Sequence, residues 1–247
     1  MPFIKQDTVD EVRVALRSVM LSNHTGDFVV ETMTPKQAEF LLKVIDCELA
    51  FRAENKRRRL IRRARFPMLK TTADYVWDNV ELPSSLSRED LVSLEFIAAM
   101  RNLVLLGAVG TGKTHLAIAL GLGACEAGLR VRFTTTSEMV LRLTEARDAG
   151  TLEKAFKEYT NLDLLILDEW GYVPIDRDGA RLLFQIISQS YEHHSLILTT
   201  NLEFSKWGSV LTDDQMAAAM IDRIAHHGHL LVFKGESWRM KNALMRH

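Results

Sequence analysis

Two short stretches carry residue types that handle phosphate. The first is Gly107-Ala108-Val109-Gly110-Thr111-Gly112-Lys113-Thr114, followed by His115. The apolar run Leu103 to Leu106 precedes it, and the helix-forming run Leu116 to Ala127 follows. Strand, glycine loop and helix in that order are the setting of a phosphate-binding loop. Glycine lets backbone N–H groups approach an anion closely, and the following helix turns its positive end to the same point. Lys113 is placed to reach the β- and γ-phosphates of a nucleoside triphosphate, and the Thr114 hydroxyl to ligate Mg2+. An ordinary glycine-rich turn is the plain alternative. The completeness of the motif and the nature of both neighbours weigh against it.

The second stretch is Leu164-Leu165-Ile166-Leu167-Asp168-Glu169, an apolar strand ending in two acids. Asp168 suits Mg2+ organisation through its water, and Glu169 suits polarising an attacking water. Alone, such a run is also what a strand ending in surface acids looks like; beside a complete phosphate loop it becomes specific. A third apolar run, Leu196 to Thr200, ends in the polar tip Thr199-Thr200-Asn201. If that tip lies beside Asp168, Asn201 falls near the γ-phosphate and its water. His226, His227 and His229 match no zinc spacing. They read as helix-end and loop histidines, as do His193 and His194.

The elements that must position these groups follow from periodicity. Strands are expected at Leu103–Leu106, Val131–Thr134, Leu164–Glu169, Leu196–Asn201 and Leu230–Phe233, with helices between them. Ser137 is expected to cap a helix running to Ala149, and Thr151 another to Tyr159. Further helices are expected over Leu91–Met100, Asp178–Tyr191, Met216–Ala225 and, at the end, Ser237–Arg246. Five strands alternating with helices give an α/β fold with a parallel, helix-covered five-stranded sheet. Nucleotide sites in such sheets lie beyond the carboxyl ends of the strands. Gly121 and Gly123 each cost the first helix about 1 kcal/mol against Ala, a cost that close packing on the sheet would explain.

Ahead of this core the pattern is helical. Val9, Val12, Leu16, Val19 and Met20 fall on one helix face, which Asn23 to Asp27 is expected to break. Thr34-Pro35-Lys36-Gln37 starts another helix with a Thr cap, a first-turn Pro and a capping-box Gln. Its apolar face is Ala38, Leu41, Leu42, Ile45 and Leu49, and it can run to Arg65 before Pro67 stops it. Its end is basic: Arg52, Lys56, Arg57, Arg58, Arg59, Arg62, Arg63 and Arg65 share the stretch with Glu54 alone. Such a run is either a solvated face or a grip on a phosphate backbone. If about six of these residues neutralise phosphates, the log–log salt slope of binding from this stretch is about −5. Phe66 to Leu86 reads as a linker whose Phe66, Tyr75 and Trp77 either touch an adenine or pin the linker down.

Composition bounds the rest. The chain has 247 residues, 47% hydrophobic, enough to bury a sizeable core. Lys+Arg 31 against Asp+Glu 32 leaves nucleic-acid binding to the distribution of charge rather than its sum. Cys47 and Cys125 suggest neither a disulfide framework nor a zinc site and are expected as core or partly buried thiols. No apolar run approaches the ~20 residues of a membrane span, and the first residues lack a signal-peptide pattern. A cytoplasmic chain without a membrane partner is expected.

Taken together, the motifs resemble those of the AAA+ ATPases of the DnaC/IstB branch. The resemblance is carried by Gly107 through Ala117, Leu167-Asp168-Glu169-Trp170-Gly171-Tyr172, Thr199-Thr200-Asn201, Trp207-Gly208, Ala219 through Ile224, His226-His227 and Lys234 through Arg239. It runs from about Phe66 to Arg239, while the N-terminal helices match in pattern only. It implies a helical N-terminal domain with the basic helix over residues 1–66 and an AAA+ ATPase domain over 67–247. It implies ATP with Mg2+ as cofactors and an ATP-binding loop of Gly107, Ala108, Val109, Gly110, Thr111, Gly112, Lys113, Thr114 and His115. Asn201 matches the first sensor. Arg223 matches an arginine finger that acts on the ATP of the neighbouring subunit, an effect worth roughly 10³–10⁵ in rate. Arg239 matches the second sensor, although a full C-terminal helical lid is not expected beyond it.

A finger acting in trans implies head-to-tail assembly into a ring or an open helix. The resemblance further implies an ATPase that oligomerises on duplex DNA and recruits or activates the transposase of the same insertion element. In such ATPases the helices after the second strand line the DNA path, which adds Arg142, Arg147, Lys154 and Lys157 to Arg57, Arg58, Arg59, Arg62 and Arg63 as candidate DNA contacts. The alternative within the same branch is a loader of a replicative helicase. Outside it stand a small-molecule phosphotransferase, indifferent to Arg223, and a nucleotide switch without turnover.

Overall fold

The computed structural model describes residues 5–73 and 75–237. The chain divides into two compact units, Met1–Arg59 and Leu60–His247.

The first unit holds helices α1 (Gln6–Ser18) and α2 (Asn23–Thr32) and most of α3 (Pro35–Ala64), whose last residues, from Leu60 on, belong to the second. The expected break at Asn23 to Asp27 is instead the start of α2. Ser22 caps it by accepting from the Thr25 N–H, a favourable cap that outweighs a glycine in the first turn. The start of α3 is as the sequence predicts: the side-chain Oε1 of Gln37 accepts the Thr34 N–H at 2.8 Å, and Thr34 Oγ1 accepts the Gln37 N–H at 3.4 Å. Val12, Leu16, Ala38 and Ile45 form the small core, with Leu41, Leu42 and Leu49 against it. Cys47 falls off that stripe and is exposed, whereas Cys125 is buried.

The second unit is built on a sheet. Its elements are β1 (Val80–Glu81), α4 (Arg88–Ser93), α5 (Glu95–Ala98), β2 (Asn102–Gly107), α6 (Lys113–Glu126), β3 (Val131–Thr135), α7 (Thr136–Asp148), α8 (Leu152–Thr160), β4 (Leu164–Trp170), α9 (Arg177–Ser190), β5 (Ser195–Thr200), α10 (Trp207–Leu211), α11 (Asp214–His226) and β6 (Gly228–Phe233). The strand order is β1-β6-β2-β5-β4-β3. The sheet has six strands, not five. The five expected strands run parallel, and β1 adds an antiparallel edge through Val80↔Phe233 and Glu81↔Val232. Two residues inside a Pro- and Ser-rich stretch leave no periodic signal, which is why that segment reads as linker.

Both sheet faces are covered, so the strands are apolar on alternate residues in both directions. Leu165, Leu167, Leu196 and Leu198 face a core shared with α7, α8, α9 and α11. Leu164, Ile166, Ile197, Leu103 and Leu105 face the core shared with α4, α5 and α6. Gly121 of α6 is needed there: a Cβ would stand 2.6 Å from Ile166 and 2.9 Å from the Phe66 ring. Gly123 meets only Leu94, at 3.9 Å, and nothing requires a glycine there. The single helix expected over Leu91–Met100 is two, because Leu94 takes φ 64° between α4 and α5. The cap of α7 is Thr135 rather than Ser137, in a full capping box with Glu138. The helix expected from Ser237 to Arg246 lies, beyond Ser237, outside the described residues. Among the described residues no helix is long and apolar enough to cross a membrane.

Candidate nucleotide-binding site

β2 ends in Gly107 and α6 begins at Lys113, so residues 108–112 form the loop between them. Glycine is demanded at Gly107, where a Cβ would collide with the Phe233 carbonyl on the neighbouring strand. Gly112 takes φ 99° and caps α6 without a side chain. Gly112 thus brings no side chain of its own to the first-turn N–H groups of α6, which is how a helix start is left to receive an anion. Lys113 is buried, and its ammonium donates to the carbonyl oxygens of Gly107 and Ala108, each at 2.7 Å. The Thr111 hydroxyl donates to Ala108 O at 2.8 Å, bracing the loop.

β5 lies between β2 and β4 and pairs with both. This brings the loop after β2 and the acids of β4 together across the tip of β5. The Thr114 hydroxyl donates to the Asp168 carboxylate at 2.9 and 3.2 Å, and the Thr199 hydroxyl donates to the same group. Thr136 donates to the Asp168 carbonyl oxygen at 3.2 Å. Asp168 is buried and Glu169 exposed, with φ 59° at Glu169. Asn201 is exposed immediately after β5. Lys113, Thr114, Asp168, Glu169 and Asn201 thus all stand at carboxyl ends of adjacent strands, or at the start of the helix that follows.

The aromatics of the preceding segment divide between two jobs. Phe66 packs on Gly121 and Phe133, its ring 6.3 Å from the latter's. Tyr75 packs edge-on to His115 at 5.1 Å and to Trp77 at 5.0 Å, with its hydroxyl 3.5 Å from Gly112 O. Burial pushes the Tyr75 phenol well above its ordinary range, so it stays neutral. His115 also reaches Thr71 O at 3.4 Å. Tyr75 and His115 therefore wall the start of α6.

Arg223 is not in this cluster. It donates to Ala219 O of its own helix at 2.8 Å, and its guanidinium lies 5.0 Å from the centre of the Phe184 ring. Next to it, Ile224 O accepts from Asn102 Nδ2 at 3.2 Å, and His227 O accepts from Asn102 N at 2.8 Å. Asn102 opens β2, so Arg223 sits toward the end of the sheet opposite its own phosphate loop. Arg239 lies outside the described residues.

The basic candidates differ in their surroundings. Arg57 and Arg58 both pair with Glu54, at 3.2 and 2.7 Å, and Arg52 pairs with Glu48. Arg59, Arg62 and Arg63 are exposed and have no ion-pair partner among the described residues. On α7 and α8, Arg142 pairs with Glu158, Arg147 with Asp148 and Asp178, and Lys157 with Glu153, while Lys154 is exposed. Among the described residues no group of three or more His, Cys, Asp or Glu is placed to hold a metal ion.

Thr199 and Thr136 are the site residues that sequence reasoning passes over. The polar tip Thr199-Thr200-Asn201 signals the strand end, but only the paired strands reveal which of its hydroxyls meets Asp168.

Comparison with known proteins identifies the family and the fold. A family described as IstB-like ATP binding protein matches residues 24–245. The chain is 34% identical over 232 residues to the ATP-binding protein of insertion sequence IS232 from Bacillus thuringiensis subsp. berliner, covering 92% of each. It is 36% identical over 206 residues to that of insertion sequence IS5376 from Geobacillus stearothermophilus, covering 83% of this chain and 81% of the other. Among solved structures, the DnaC helicase loader superposes with a TM-score of 0.51 and 27% identity over 62% of this chain and 92% of that one. AMPPCP-bound DnaA from Aquifex aeolicus gives 0.57 and 23% over 73% and 57%, a likeness of fold.

Proposed function

Because this chain belongs to the IstB-like ATP-binding family, we propose that it is an ATP-hydrolysing regulator of insertion-sequence transposition that assembles on duplex DNA and recruits or activates its element's transposase. Its fold is the P-loop AAA+ core, shared with DnaC and DnaA. The observation that carries the reading is the contact between Thr114 and Asp168. It joins a complete phosphate loop to the acid pair that a hydrolytic site needs.

The residues present fit ATP and Mg2+. The start of α6, opened by a glycine, and a buried ammonium suit phosphate oxygens. The Thr114 hydroxyl and Asp168 carboxylate are hard oxygen donors held side by side, the donor chemistry Mg2+ takes. When bound, the nucleotide supplies the phosphoryl group and the metal offsets its charge. The Lys113 ammonium, held here by two carbonyl oxygens, would serve the phosphates. Thr114 and Asp168 would hold the metal, directly or through water. Glu169, exposed at the strand end, would orient a water and draw on its proton, with Asn201, just past the end of the neighbouring strand, as the first sensor. Arg223 completes the site of the next subunit, since it stands at the far end of the sheet from its own loop. We assign ATP chemistry to residues 67–247 and a phosphate-backbone grip to the basic helix of residues 1–66.

The test is to image the protein with duplex DNA and ATP beside Lys113→Ala and Glu169→Gln. Expected are ATP-dependent oligomers on DNA, absent for Lys113→Ala and long-lived for Glu169→Gln, with hydrolysis lost in both. No ATP-dependent assembly in the wild type would overturn the reading. A second reading, a helicase loader, draws on the likeness to the DnaC helicase loader. Preference for single strands and binding to a replicative helicase would favour it.

A further inference from the structure

β4 and β5 pair in register from Leu164↔Ser195 to Leu167↔Leu198, and again at Trp170↔Thr200. Two residues, Asp168 and Glu169, therefore stand opposite one, Thr199. This is a β-bulge in a parallel pair, an uncommon place for one. In a regular pleat consecutive side chains leave on opposite faces, so Asp168 and Glu169 could not serve one point. The bulge removes that restriction, and it leaves Glu169 at φ 59°, a conformation that a residue with a Cβ holds only when its surroundings impose it.

Thr199 fills the bulge. Its hydroxyl, buried at 2% exposure, donates to Asp168 Oδ1 and accepts the Glu169 backbone N–H at 3.1 Å. One hydroxyl thereby holds the carboxylate of the first acid and the backbone of the second. Thr200 pins the far side by donating to Trp170 O at 2.9 Å while accepting the Leu202 N–H at 3.0 Å. Of the two hydroxyls that hold the Asp168 carboxylate, Thr114 belongs to the phosphate loop. When Thr114 serves Mg2+, Thr199 is the one left to aim Asp168.

We propose that Thr199 is a positioning residue for the acid pair, fixing the direction of Asp168 and the backbone of Glu169 without touching the nucleotide. The proposal rests on the reading of this site as an ATPase. Thr199→Val removes the hydroxyl and keeps the shape, whereas Thr199→Ser restores the hydroxyl. Three quantities are compared with the wild type: exchange of the Glu169 amide by NMR, affinity for a fluorescent ATP analogue with Mg2+ or with EDTA, and hydrolysis. In Thr199→Val the Glu169 amide exchanges faster and affinity in EDTA holds, while the Mg2+-dependent gain in affinity shrinks. Hydrolysis falls by roughly 10–100-fold, the usual loss when an outer partner of a metal-binding group is removed. Thr199→Ser returns all of these toward wild type, and Thr199→Ala, also without the hydroxyl, matches Thr199→Val. Wild-type exchange and turnover in Thr199→Val, or failure of Thr199→Ser to restore them, would overturn the proposal. If the wild type itself turns over no ATP, the ATPase reading falls, and the exchange contrast between the Val and Ser variants alone decides the positioning role.

Discussion

Individual residues in this chain are tuned by what surrounds them. His194 is 3% exposed just before β5, and among the described residues neither ring nitrogen has a hydrogen-bond partner. Burial, with His193 adding to it and Asp163 opposing, pushes its imidazole down to about 4. The unfolded chain therefore binds a proton that the folded chain refuses between about pH 6.5 and 4. Stability due to this residue rises with pH across that window and is lost as pH falls through it. Between pH 7 and pH 5 the expected loss is roughly 2 kcal/mol. Denaturant titrations of wild type and His194→Leu at the two pH values check this: the variant should lose less, and parallel losses would show that His194 is not the cause. Such tuning is invisible in sequence, where His193-His194 is only a pair of loop histidines. Lys113 and Thr114 are legible because their places follow from spacing along one strand–loop–helix unit, and Asp168 because it stands near the end of a separate apolar strand. The role of Thr199 is not, because a bulge is a property of two paired strands and one strand's sequence does not record its register.

At the scale of elements, what could be read was what repeats. The five parallel strands and the helices between them carry long apolar periods, and the structure returns them within a few residues. β1, α2 and the break at Leu94 depend on two paired residues, one Ser cap and one left-handed residue, signals too short for periodicity. The basic end of α3 was legible as charge but not as pairing. Glu54 holds Arg57 and Arg58, which leaves Lys56, Arg59, Arg62 and Arg63 exposed without ion-pair partners among the described residues. Lys56, Arg59 and Arg63 recur at helical spacing, so they form one stripe. If the stripe grips DNA, changing Lys56, Arg59, Arg62 and Arg63 together to Ala should weaken binding at every sequence. It should also flatten the log–log salt slope by roughly 3 to 4. Binding measured from low to moderate salt decides it, and an unaltered slope would make the stripe a solvated face. The paired cations Arg142, Arg147 and Lys157 should contribute less, because each must first leave an acid, although exposed pairs of this kind are weak.

For the whole molecule the decisive geometry is the length of β2. Its six residues separate Asn102, which binds the end of α11, from Gly107, which opens the phosphate loop. At about 3.3 Å per residue that is roughly 17 Å of strand, more than an arginine side chain covers. Arg223 on α11 is therefore poorly placed for its own nucleotide, and the head-to-tail array proposed above is what would give it one. Such an array has two half-sites per subunit, and damage to different halves can be complemented. Arg223→Ala keeps its own loop and acids, whereas Glu169→Gln keeps its finger. Each alone should be nearly inactive on DNA. Mixed in equal amounts, one half of the loops and, independently, one half of the fingers are intact, so about a quarter of the interfaces are whole. Hydrolysis should then recover toward about a quarter of the wild-type rate as subunits exchange. If Arg223 acts within its own subunit or serves only to pack on Phe184, the mixture stays at the sum of its parts, and the shared site is wrong.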